Sequence, residues 1–358
     1  MLISPDNPLT FHIIYTPGTV RALLPFVRSL LQWSNCQFRL VANGCQADEL
    51  ELLRRACTRE PRLEYLVVSR RGMWKHAQVL NWLLTQSGEP QFCFLDSDIL
   101  ATGDFLAELR PQAVGTDALF TGWPLLTTAS DQQLSDATDY MAGHHRYTEA
   151  GQCLGGSYFA IYDRAALDAV LSIAPAGFDR GLRGFLSTPQ RRAMESLGEQ
   201  RAFYDTGRVL NLLLISQGRV LRSPDIESLC HLGSFSFSRD VLSRPASWNE
   251  WLRQQRDHVS QWAVRLLSTL GSPFTGENRK REIRRRVWQH VSQSPWHSRC
   301  RVLGAYFGDL LEAFHAGQKP PPPPIVDSPE VNARVRRLID TLQDAWPSIR
   351  LEAWLDET

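Results

Sequence analysis

No apolar run in this 358-residue chain approaches the roughly 20 residues that a membrane-crossing helix needs, so no such span is expected. The opening stretch, "MLISPDNPLT", has neither the charged n-region nor the apolar core of a secretory leader. Charge of one sign is not in excess. With 39 Lys and Arg against 38 Asp and Glu the formal net charge is +1, which leaves no global field to attract nucleic acid. The seven cysteines, Cys36, Cys45, Cys57, Cys93, Cys153, Cys230 and Cys300, are odd in number and contain no C-x-x-C pair. Scattered reduced thiols fit a cytoplasmic protein. No internal repeat is present. Apolar residues make up 43% of the chain, enough for a globular core, and the length allows one large domain with an appendage or two domains.

What is present begins with an alternation of strand-like and helix-like patterns. "FHIIY" (residues 11–15) reads as a first strand. Val20, Leu23, Leu24, Val27, Leu30 and Leu31 follow at the spacing of an amphipathic helix, with Pro25 predicting a kink or a late start. "FRLVANG" is a second strand, and residues 48–57 a helix. "LEYLVV" (63–68) is a third strand, and residues 74–84 another helix. This order predicts an α/β fold with a mostly parallel sheet and ligands at the carboxyl ends of its strands. Further on, "DALFTGW" and "GGSYFAIY" read as strands and "TGRVLNLLLISQG" as a helix closing on Gly218. From about Trp248 the pattern is helical, "QKPPPPPI" is a polyproline spacer, and residues 331–346 form a last amphipathic helix. The expected partition is 1–240 as the main domain, 241–318 as a helical extension, 319–328 as a proline-rich linker and 329–358 as a C-terminal helix.

The fourth strand, inside "QFCFLDSDIL", ends in Asp96 and Asp98 with Ser97 between them. Side chains at i and i+2 of an extended chain point the same way, so both carboxylates are expected to face one point beyond the strand. Like charges held together call for a cation or a proton between them, and a hard divalent ion with oxygen ligands, Mg²⁺ or Mn²⁺, suits the place. The alternative is two helix caps or surface turn acids.

The ordered set "YTPG", "VANG", "GMWKHAQVLNWLL", "FLDSD", "CLGGSYFAIYDR", "YDTGRVLNLLL" and "CHLGSFS" resembles the D-x-D, metal-dependent glycosyltransferases of the GT-A fold, over roughly residues 10 to 240. The resemblance implies a GT-A-like mixed, mostly parallel sheet flanked by helices, here with a helical C-terminal extension. It also implies transfer of a sugar from a UDP- or GDP-linked donor to a hydroxyl of a glycan, lipid-linked or small-molecule acceptor, as in polysaccharide biosynthesis. Mn²⁺ or Mg²⁺ would be held by Asp96, Asp98 and His231, with a buried core histidine as the alternative for His231. Thr16, Pro17, Asn43, Lys75, Asn81, Asp96 and Ser97 match donor-binding positions, although Lys75 equally suits a solvated helix start. Arg70 and Arg71 could serve the same electrostatic purpose. Trp123, Gly155 and Gly156 match the sugar and acceptor side, against a core tryptophan and a tight turn. Asp205 matches the general base of an inverting enzyme, against a helix cap. Some relatives place a lysine after the histidine to hold phosphate; Ser234, Ser236 and Ser238 stand there instead and leave that clamp unassigned.

Two rivals remain. A sugar nucleotidyltransferase also uses strand-end carboxylates and metal, but "TPGTVRALLP" is a poor match for its phosphate loop. A non-catalytic glycan-binding protein could keep the same fold. Residues 279–291 form a basic amphipathic pattern, read either as a solvated helix face or as peripheral contact with the inner face of a membrane.

Overall fold

The computed structural model describes residues 2–4, 7–69, 72–122, 125–128, 131, 140–141, 146–148, 150–233 and 294–355. Three short strands, β7 (Tyr140–Met141), β9 (Gly181–Leu182) and β10 (Phe203–Tyr204), pair in a sheet of their own, and a seven-stranded sheet runs in the order β11-β6-β8-β4-β1-β2-β3. Its strands are β1 (Thr10–Tyr15), β2 (Gln37–Asn43), β3 (Leu63–Ser69), β4 (Gln91–Asp96), β6 (Ala118–Phe120), β8 (Phe159–Asp163) and β11 (Leu221–Arg222). Every pairing is parallel except those of β8, which is antiparallel to both β4 and β6. The α/β, mixed and mostly parallel architecture expected from the sequence is the one observed.

Both faces of the sheet are covered, which is why its strands read as unbroken apolar runs. Phe11, Ile13, Phe38, Leu40, Cys93 and Leu95 point into one hydrophobic cluster with helices α1 (Val20–Gln32) and α2 (Ala47–Arg59). Val41, Phe92, Phe94, Ala160 and Tyr162 point into the other. There they meet α3 (His76–Gln86), α5 (Arg164–Ile173) and α7 (Arg208–Ser216). Alternation along β4 thus divides its four apolar side chains between the two layers. Helix α4 (Phe105–Ala113) joins the first layer, and α6 (Thr188–Ser196) packs against α7.

Local deviations from the sequence reading have identifiable causes. Helix α1 starts at Val20 in spite of Pro25, because Thr19 closes the preceding turn through its hydroxyl onto the Thr16 carbonyl at 2.7 Å. The strand predicted over "GGSYFAIY" begins only at Phe159. Gly155 before it has φ +64°, and a Cβ there would lie 2.5 Å from the Phe120 ring, so the chain turns where only glycine fits.

The C-terminal helices α8 (Pro295–His315) and α9 (Pro329–Ile349) bury Cys300, Leu303, Phe307, Leu310, Leu338, Leu342 and Ile349 in the same cluster as α1 and α2. Arg299 ties α8 to Asp131 and to the Leu126 carbonyl, and Arg334 on α9 donates to the Thr127 carbonyl at 2.9 Å. The polyproline segment between them is itself held, since the Tyr306 hydroxyl donates to the Pro321 carbonyl at 3.0 Å. No helix among the described residues is long and apolar enough to cross a membrane. Residues 241–293, including the basic stretch 279–291, lie outside the described residues.

Shared burial predicts shared unfolding. Leu342→Ala, at a fully buried position of α9, is expected to lower stability by about 2–5 kcal/mol in one cooperative denaturation transition. A separate early transition that leaves the sheet's own midpoint unchanged would show the helices to be an independent unit.

Candidate active site

Strand order reverses between β1 and β4: the chain builds β2 and β3 on one side of β1, then crosses to place β4 on the other. In an open parallel sheet the crevice beyond the carboxyl ends at such a point is where ligands bind. Tyr15 ends β1, Asn43 ends β2 and Asp96 ends β4, so all three strands deliver their last residues there.

Beyond Asp96 the chain turns through Ser97 and Asp98 into β5 (Ile99–Ala101). The two carboxylates therefore meet across a turn rather than along an extended strand as the i, i+2 argument supposed. Strand β5 pairs antiparallel with β12 (Leu229–His231), Ile99 opposite His231, and the Leu232 N–H donates to the Asp98 carbonyl at 3.0 Å. Backbone register thus carries an imidazole from far along the chain to the acidic turn. His231 Nε2 lies 3.2 Å from Asp98 Oδ1 and 3.6 Å from Asp96 Oδ2. One donor atom from each residue falls within 4.8 Å of the others.

Tyr158 fixes this arrangement from behind. Its ring stacks on His231 at 4.6 Å and 23°, its carbonyl accepts the Asp96 N–H at 2.7 Å, and its hydroxyl donates to the Thr121 carbonyl at 3.0 Å. Asp98 and His231 are buried, whereas the Asp96 side chain keeps 37% exposure on the open side. Burial, then the charge of Asp98, push the Asp96 carboxyl well above the ordinary carboxylate range, with His231 pulling the other way. For His231 burial alone would lower the imidazole. The charge and hydrogen bond of Asp98, with the charge of Asp96, outweigh it and the net shift is upward.

A divalent ion fits the same three donors. Cis ligands on an octahedral ion with bonds of about 2.2 Å lie about 3.1 Å apart, close to the His231 separations. Two carboxylate oxygens and one imidazole nitrogen suit Mn²⁺, and Mg²⁺ less well.

The remaining expected site residues fall into three groups. Thr16 and Pro17 form the turn between β1 and α1 and are partly exposed at the carboxyl end of β1. Lys75 is exposed at the N-cap of α3, where its backbone N–H donates to Gln78 Oε1 at 3.1 Å. Ser97 is partly buried in the acidic turn. Other residues are committed within the protein. Asn43 is buried, and both ends of its amide engage the Trp74 backbone, at 2.9 Å to the carbonyl and 2.8 Å from the N–H. Asn81 accepts the Phe178 N–H at 2.7 Å and donates to Asp179 at 3.0 Å. Trp123, Arg70, Arg71, Ser234, Ser236 and Ser238 lie outside the described residues.

Around Asp205 the structure adds partners. The carboxylate accepts the Thr206 N–H at 2.8 Å and meets Arg180 Nε at 3.0 Å. It does not cap α7; Gly207, with φ 75°, occupies the N-cap. His76, the first residue of α3, is pushed down to about 4 by burial while Asp205 raises it and Arg180 lowers it, so its ring is neutral. Two residues one turn apart on α7, Arg208 and Asn211, hold the glycine loop. The buried Arg208 donates to the Gly155 carbonyl, and Asn211 donates to the Leu154 carbonyl at 2.6 Å. Gly156 also approaches Tyr158 closely: a Cβ there would lie 2.7 Å from its ring. Tyr158, Arg180, His76 and Arg208 escaped the sequence reading because each acts through a partner distant in sequence, which no spacing rule encodes.

No protein-family model and no curated protein matches the sequence. Solved structures do resemble the fold. Mannosyltransferase PcManGT from Pyrobaculum calidifontis, in complex with GDP-Man and Mn²⁺, is similar at 14% identity over 98% of this chain and 88% of that one, with a TM-score of 0.36. The apo form of glycosyltransferase GlyE from Streptococcus pneumoniae TIGR4 is similar at 9% identity over 60% and 45%, with a TM-score of 0.36. Apo WbbM, a bifunctional glycosyltransferase, is similar at 12% identity over 64% and 46%, with a TM-score of 0.33. This chain therefore spans under half the length of the GlyE and WbbM chains. Likenesses this distant transfer no activity, and the chemistry of the site stands on its own residues.

Ligation needs an ionised carboxylate and an unprotonated imidazole, and the upward shifts of Asp96 and His231 both favour the protonated forms. Mn²⁺ affinity is expected to fall as pH drops from about 8 to 6, with proton release visible as a buffer-dependent binding enthalpy. His231→Ala should weaken Mn²⁺ binding more than Mg²⁺ binding. An affinity indifferent to pH and to that substitution would remove the imidazole from the site.

Proposed function

We propose that this chain is a metal-dependent glycosyltransferase. It moves a sugar from a UDP- or GDP-linked donor to a hydroxyl of a glycan, lipid-linked or small-molecule acceptor, with inversion. The observation that carries this is the meeting of Asp96, Asp98 and His231 at the carboxyl end of β4, beside the point where strand order reverses. A cation-ready cluster at that place suits a ligand that is itself anionic, such as a nucleoside diphosphate. A nucleotidyltransferase fits less well. Only residues 16–19 separate β1 from α1, too short a connection for a glycine-rich phosphate loop.

When bound, Mn²⁺ or Mg²⁺ would neutralise the charge that develops on the leaving diphosphate. The chain's own residues do the rest. Asp98 and His231, both buried, keep their donor atoms in one orientation, so little reorganisation is needed on binding. Tyr158 holds the imidazole plane. Lys75 adds a mobile positive charge at the rim. Asp205 is the base: it takes the proton from the acceptor hydroxyl as that oxygen attacks the anomeric carbon and the bond to the diphosphate breaks. Arg180 orients the Asp205 carboxylate from its outer side, and the neutral His76 ring nearby adds no competing charge. Arg208 and Asn211 fix the loop at Gly155 and Gly156, which would border the sugar.

Two substitutions separate the roles. Asp98→Asn keeps the shape and loses the charge; transfer should disappear across all Mn²⁺ concentrations while the melting temperature holds. Asp205→Asn should slow the chemical step by about 10²-fold or more with donor binding little changed. Full activity of the Asp98 variant, or of the wild type in excess EDTA, would contradict the metal role. An Asp205 variant with unchanged turnover would contradict the base.

A further inference from the structure

Residues 318–326, between α8 and α9, belong to no helix or strand. Pro320 to Pro324 are consecutive prolines joined by trans peptide bonds. Each ring fixes φ at about −65°, and each proline bars the residue before it from the helical region. The run is therefore held as a polyproline II helix, with about three residues per turn. Burial follows that period. From Lys319 to Val326 only Lys319, Pro322 and Ile325 are exposed, every third residue, and those between them are half-buried. One edge of the helix thus stands in solvent with its side chains about 9 Å apart, while Val326 packs against the hydrophobic cluster that α1 joins. Ile325, at 88%, is the most exposed large apolar side chain among the described residues.

A spacer would leave this segment loose, and here it is pinned at both ends. The Gln318 N–H donates to the Ala313 carbonyl at 2.8 Å, and the Tyr306 hydroxyl donates to the Pro321 carbonyl at 3.0 Å. At the other end the Asn332 amide accepts the Val326 N–H and donates to the Val326 carbonyl, both at 2.9 Å. We propose that the edge formed by Lys319, Pro322 and Ile325 is a docking surface for a partner protein module whose groove is lined by aromatic side chains and bears an acidic residue at one end. Such docking is independent of the transferase reading. The chemistry of the edge selects that occupant. Its apolar ridge, made of a proline ring and a branched side chain one turn apart, fits between aromatic side chains. Proline has no N–H, so the run offers carbonyls alone, and a groove with indole N–H or tyrosine hydroxyl groups supplies the missing donors. Lys319 stands on the same edge and calls for a carboxylate on the facing groove. A stiff segment fixed at both ends loses little conformational freedom on binding.

Calorimetric titration of the full chain with purified SH3 and WW domains, whose grooves are of this aromatic kind, tests the surface. At least one of these domains is expected to bind the wild type. Pro322→Ala and Ile325→Asp should each weaken that binding about tenfold or more. Lys319→Ala should weaken it too, and should flatten its dependence on salt. These side chains are exposed, so the melting temperature should hold. Gln318→Ala, exposed but off the edge, should bind as the wild type does. Binding by neither domain overturns the docking surface. So does binding that Pro322→Ala and Ile325→Asp leave intact, or a loss that Gln318→Ala shares. A Lys319→Ala variant that matches the wild type at every salt concentration overturns the acidic end of the groove. Sedimentation of the chain alone covers the other occupant: self-association that Ile325→Asp abolishes would give the edge to a second copy of this chain and overturn the partner module.

Discussion

Two carboxylates and an imidazole are forced together by backbone rather than by mutual attraction, and the rest of the crevice is arranged around that. Asp96 is the last residue of a strand buried on both faces, Asp98 lies in the turn that follows, and His231 is fixed opposite Ile99 by strand pairing. Like charges held so close favour a proton or a cation between them, and the Asp96 carboxyl and the His231 imidazole are both shifted upward.

The supporting structure spends its polar groups on holding loops, not on touching a ligand. Asn43 grips the Trp74 backbone, Asn81 the segment at Phe178 and Asp179, and Arg208 and Asn211 the glycine loop. Each is a side chain on a strand end or helix that immobilises an irregular segment at the carboxyl edge of the sheet. Sites built this way keep their geometry while the loops differ in sequence. The C-terminal helices belong to the same economy. Helices α8 and α9 pack against α1 and bury their apolar faces in the cluster that α1 and α2 share.

Much of the fold was legible in the sequence for a simple reason. Strands covered on both faces must be apolar throughout, so "FHIIY", "FRLVA" and "FCFL" announce themselves. The acidic turn was legible because charge at the end of such a run is conspicuous. Its geometry was not: a one-residue spacing fits a strand or a turn equally, and the turn is what formed. Asn43 was expected at a ligand and proved to hold the Trp74 backbone, since nothing in "VANG" distinguishes an amide facing solvent from one facing a neighbouring loop. The pairing of β5 with β12 was invisible because both strands are only three residues long. For the C-terminal helices, periodicity showed that one face is buried without showing against what.

The central claim is that Asp96, Asp98 and His231 share one ion. Anomalous diffraction from crystals of the full chain soaked with Mn²⁺ and a nucleoside diphosphate tests it most directly. The account predicts a single manganese peak within roughly 2.0–2.4 Å of a carboxylate oxygen and of His231 Nε2, absent from crystals of Asp98→Asn. Manganese bound elsewhere, with His231 still hydrogen-bonded to Asp98 and no peak between them, would contradict it.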